Sequence, residues 1–88
     1  MRPEDTTAST DKLFKEAALY ILGESGIPRL TGETEQVHAT LEAMNASRAL
    51  YEALSAESTS LSAAGVLLER KRAAATRFEK LTGIRWRL

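Results

Sequence analysis

Apolar residues recur every three or four positions in three separate blocks of this chain. The first holds Leu13, Phe14, Ala17, Tyr20 and Ile21. The second holds Val37, Leu41, Met44, Ala46, Leu50, Tyr51 and Leu54. The third holds Leu61, Ala64, Leu68, Ala75 and Phe78, with Leu67, Ala74 and Leu81 beside them. Such spacing places the apolar groups on one face of a helix turning 100° per residue. No segment alternates β-branched or aromatic residues strictly enough for a strand, and alanine and leucine dominate the periodic stretches. The pattern predicts an all-α fold: three helices in an antiparallel arrangement, with the second and third forming a long α-hairpin that carries most of the core.

Breaking and capping residues set the boundaries. Residues 1–9 lack apolar periodicity, and Pro3 resists an early helix, so they read as a disordered lead. The first helix is expected to start at Ser9 or Thr10, either of which can cap free N–H groups, and to stop at Gly23. "GESGIPRLTGE" follows as a connector broken by Gly26 and Pro28, with Ile27 and Leu30 expected to tuck against the core. The second helix is expected from Thr31–Thr34, with Glu33 and Glu35 answering the helix dipole, to "SAESTS". The third is expected from Ser58–Ser60 to Gly83, with Ile84 packing back on Phe78. The organisation is thus a lead over 1–9, one helical domain over 10–83 and a C-terminal arm over 84–88. Leu41, Leu50, Leu68 and Phe78 are the expected buried positions.

Bulk properties exclude several classes of function. With 88 residues, no cysteine and one histidine, the chain has no disulfide and no zinc site of the usual Cys/His kind. His38 precedes Glu42 by one helical turn, but no nucleophile motif accompanies them, so the pair reads as an ordinary i,i+4 neighbourhood. Glu33, Glu35 and Glu42 lack the Glu-x-x-His motif that would complete a carboxylate metal site. The glycines of the connector lack the Gly-Lys-Ser/Thr of a phosphate loop. No catalysis, cofactor or metal is expected. The N-terminal stretch has no apolar segment of a signal peptide, and the longest apolar run, "AALYIL", is far short of a membrane span. A soluble protein of the cytoplasm, or one assembled there into something larger, is the expectation.

Charge is distributed unevenly. Seven of the 12 basic and two of the 12 acidic residues lie in residues 69–88, so that stretch carries +5 and residues 1–68 carry −5. Lys80 and Arg77 suit a helix C-terminus. Arg70, Lys71 and Arg72 are consecutive, span about 200° of helix and cannot share one face. Arg70, Arg77 and Lys80 can line a face that meets phosphates without reading sequence. Beyond Gly83, Ile84, Trp86 and Leu88 alternate with Arg85 and Arg87. Trp86 is expected to dock in an apolar groove, either within its own bundle or on a neighbouring subunit, with the arginines pairing to acidic groups at the rim. The candidate partner-binding residues are Arg70, Arg77, Lys80, Arg85, Trp86, Arg87 and Leu88. Protein contact, including homo-oligomerisation of a basic tail with an acidic body, is the leading expectation, with non-specific DNA contact beside it.

"LYEALSAE" and "LLERKRAAATRFEKLTGIRWRL" resemble small helical proteins of tailed bacteriophages. The close Thr82-Gly83-Ile84-Arg85-Trp86-Arg87-Leu88 is similar to the ends of several small terminase subunits. "AALYILGESGIPRLTGETEQ" resembles in layout the opening of head-to-tail adaptor proteins. Both resemblances imply a non-enzymatic ring working near DNA during head assembly, in the cytoplasm or within a virion, with a portal-type protein as partner. The alternative from another class is a small helical regulator of anti-defence type that binds a host protein or nucleic acid.

Overall fold

The computed structural model describes residues 3–30, 32–56 and 60–88, with side chains from Thr10 onwards. Three helices follow one another: α1 (Pro3–Ile21), α2 (Thr34–Ser55) and α3 (Leu61–Thr82). No strand occurs among the described residues. The all-α fold and the long hairpin of α2 and α3 are as the spacing predicts. Each of those two helices has 22 residues, about 33 Å of axis at 1.5 Å per residue.

Local chemistry fixes the ends. α1 begins at Pro3, upstream of the expected Ser9 or Thr10 and inside the expected disordered lead, of which residues 1 and 2 lie outside the described residues. Proline lacks an N–H, but the first helical position has no intrahelical use for one, so it opens a helix as readily as it breaks one. At the other end Gly23 adopts φ 77°. Its N–H donates to the Tyr20 carbonyl at 3.0 Å and the Glu24 N–H donates to that of Leu19 at 2.9 Å. These are the paired bonds of a Schellman stop. The connector then leaves Ile27 exposed and brings only Leu30 against the core, a partial correction to the expected tucking.

Glu33 precedes α2, and Gln36 Oε1 accepts its N–H at 3.4 Å. Thr31, one expected start, lies outside the described residues. α2 ends at Ser55, and residues 57–59 of the expected "SAESTS" terminator also lie outside them. Ser60 caps α3, its Oγ accepting the Ala63 N–H at 3.1 Å. Gly83 closes α3 at φ 72°, donating to the Glu79 carbonyl at 2.9 Å. Gln36 Nε2 donates to the Leu81 carbonyl at 3.0 Å, and Arg77 pairs with Glu42 at 2.8 Å. The two contacts advance along the helices in opposite senses and fix the antiparallel register.

The core lies at the end of the hairpin near those contacts. α1 supplies Phe14, Ala17, Tyr20 and Ile21; α2 supplies Ala43, Met44 and Ala46; α3 supplies Ala74 and Phe78. Of the four expected core positions only Phe78 is fully buried, while Leu41, Leu50 and Leu68 are half-buried. The reason is the composition of α2's inward face. Ala39, Thr40, Ala43, Ala46 and Ser47 are its buried residues together with Met44. Small side chains there let neighbouring elements approach closely, so the large leucines flank the contact instead of filling it.

Candidate interaction site

The C-terminal arm is built around one indole. Trp86 is 7% exposed and packs between two rings, with Phe78 at 5.0 Å and Phe14 at 5.3 Å between centroids. Phe14 and Phe78 themselves meet nearly edge-on at 6.2 Å. This places Trp86 in its own bundle, one of the two alternatives the alternation left open. The indole Nε1–H donates to Ser47 Oγ at 3.0 Å, and the Trp86 backbone N–H donates to Glu79 Oε2 at 3.0 Å. A serine at this point of α2 is small enough to admit the ring and polar enough to satisfy it. Among the described residues no buried side-chain nitrogen or oxygen lacks a partner.

Burial alternates along the arm as expected. Ile84 and Leu88 are half-buried against the core, whereas Arg85 and Arg87 are exposed. Arg87 pairs with Asp11 at 2.9 Å and lies 4.8 Å over the Phe14 ring. It therefore ties the arm to α1 in the way expected of a rim arginine. Arg85 makes no ion pair among the described residues.

The remaining basic residues divide. Arg77 is held across the hairpin by Glu42, and Arg72 by Glu69 at 3.0 Å on its own helix. Arg70 and Lys80 are exposed, without ion pairs among the described residues, and Lys71 is half-buried. The structure thus does not gather Arg70, Arg77 and Lys80 into a free cationic row, because the middle member faces a carboxylate on α2. Tyr20 shows a similar arrangement. Its hydroxyl donates to Asn45 Oδ1 while the Arg48 guanidinium sits 4.8 Å over its ring. Arg48 is held still more firmly protonated than an ordinary arginine, first by its hydrogen bond to Glu52 and then by Tyr20.

Toward the loop between α2 and α3 the hairpin has no buried residue beyond Ser47 on α2 or before Ala74 on α3. There Leu54 is 67% and Leu61 93% exposed, with Tyr51 and Leu22 also open. Beside Tyr51, Leu54 and Leu22 lies a groove of about 300 Å³ whose walls also include Ile21, Leu50, Lys71 and Leu88. Ser47, which holds the Trp86 indole, and Leu88 of the arm also line it. The sequence reading missed this face because it assigned Tyr51, Leu54 and Leu61 inward. A usable signal was present: the apolar stripes of the second and third blocks run on for more turns than the first block can cover.

His38 is exposed, and Glu42 is engaged by Arg77. No group of three or more histidine or acidic side chains that could hold a metal ion occurs among the described residues. No described helix is long and apolar enough to cross a membrane. No protein-family model, curated protein or solved structure matches the chain.

Proposed function

We propose that this chain is a non-enzymatic assembly component that works by self-association and protein contact. It is of the virion-assembly kind that the resemblance to head-to-tail adaptors and small terminase subunits implies. The observation that carries this reading is the open apolar face on the outer half of the hairpin. Monomeric proteins seldom leave clustered leucines and a tyrosine uncovered beside a groove, and such patches mark interaction sites. The pairing of Arg72, Arg77 and Arg87 with carboxylates of the same chain weighs against a free cationic row for phosphates. A ring near DNA would still present Arg70, Lys80 and Arg85 to a phosphate backbone or an acidic protein. Light scattering on the purified protein tests the proposal. A closed ring of about six or more copies is expected. A monomer or dimer would overturn it in favour of a small regulator that binds one host protein or nucleic acid.

A further inference from the structure

We infer that the groove where the three helices meet the arm is a binding site for a small single-chain amphiphile with an anionic head, of the fatty-carboxylate class. All four elements build it. α1 contributes Ala18 and Leu22, α2 contributes Ser47 and Tyr51, α3 contributes Lys71, and the arm contributes Leu88. Its volume of about 300 Å³ stands at the lower end of the ~300–1,000 Å³ of small-molecule sites. Such sites are mostly apolar and carry a few polar groups that fix the ligand's orientation. A groove of this size suits one short acyl chain. The inference goes beyond the assembly reading, because the occupant is a small molecule and its binding is counted per chain.

Two polar groups in the wall decide the chemistry of the head. Lys71 is the one charged side chain that lines the groove, and it is half-buried. It makes no ion pair or hydrogen bond among the described residues. Its stem extends the apolar wall while its ammonium is free to meet a headgroup. Ser47 is 4% exposed, and its Oγ accepts the indole N–H of Trp86. A serine hydroxyl also has a proton to donate, and no acceptor among the described residues takes it. Both groups are therefore donors without an acceptor in the chain. An ionised carboxylate is acceptor-only and offers two oxygens, so it complements them. A cationic head would instead meet Lys71 as a like charge. The surrounding field has the sign that favours an anion, since residues 69–88, which include Lys71 and Leu88, carry +5.

Titration calorimetry of the full chain with octanoate, octanol and octyltrimethylammonium tests this, each kept below its micellar or solubility limit. Octanoate is expected to saturate at one molecule per chain and to bind about tenfold or more tighter than the other two. Lys71→Met keeps an unbranched apolar stem and removes the charge. It should weaken octanoate by about tenfold and leave octanol unchanged. Lys71→Arg should retain octanoate binding. Lys80→Met is the control, because Lys80 is an exposed cation outside the groove. It should leave octanoate binding unchanged, and helical circular dichroism should be unchanged in all three variants. Absence of saturable octanoate binding would overturn the site. Equal affinity for the three probes, undiminished octanoate binding in Lys71→Met, or equal weakening in Lys80→Met would overturn the anionic occupant. Light scattering reads the assembly state separately, so either reading can fail while the other stands.

Discussion

At the scale of single residues, the fold hangs on the contact of Trp86 with Ser47. The ring is buried between Phe14 and Phe78, and its only side-chain polar atom is satisfied by one hydroxyl. Trp86→Ala should cost ~3–5 kcal/mol, the range for deleting a buried large aromatic, as measured by chemical denaturation. Ser47→Ala should cost ~1–3 kcal/mol, because it leaves the indole N–H buried without an acceptor. If Ser47→Ala unfolds at the same denaturant concentration as the parent, the hydrogen bond contributes nothing to stability. Asp11→Asn removes the partner charge of Arg87 at an exposed site and should change stability by less than ~1 kcal/mol. The arm is therefore held by packing, with its ion pair as a minor addition.

At the scale of elements, the helix ends follow from capping chemistry and the faces do not follow from spacing alone. Gly23, Ser60 and Gly83 stand at helix boundaries that the sequence marks, and each performs there the backbone task its side chain permits. Gly83→Ala places a Cβ in a left-handed conformation with open space around it. The strain alone should lower stability by ~1–2 kcal/mol, readable as a lower melting temperature. The inward face of α2 was harder to read. Helical spacing identifies a stripe, but it does not tell whether the tightest contact lies beneath the leucines or beneath the alanines between them. That choice depends on how closely neighbouring elements approach, which is a tertiary property. Leu68→Ala accordingly should cost less than ~2 kcal/mol, below the usual range for a fully buried leucine. The open groove is legible only in part: the second and third apolar stripes outrun the first block, but no single helix announces where its neighbour stops covering it. Pro3 as a helix-opening residue shows the remaining ambiguity: the same proline that breaks a helix interior is accepted at its first turn.

At the scale of the whole molecule, the chain divides into a packed end and an open end. Truncation after Thr82 removes Trp86 from the packed end, so the shortened chain should lose its cooperative melting transition. Retention of a sharp transition with wild-type mass would show that the arm is dispensable for both folding and assembly. Duplex DNA should bind weakly, without sequence preference, and with affinity that falls as salt rises. A sequence-specific shift at nanomolar protein in a mobility assay would displace the assembly reading in favour of the regulator.

The position of the one tryptophan has a practical corollary for separating these events. Its indole is shielded from water among rings at the packed end, while Tyr51 stands on the open face. Intrinsic emission from the indole should be blue-shifted in the native protein and move to the red only when the core opens. It should stay constant when subunits dissociate. Dilution of the assembled protein would then change its light scattering without changing its fluorescence colour, and denaturant would change both. The chain carries its own optical label for folding, buried between Phe14 and Phe78.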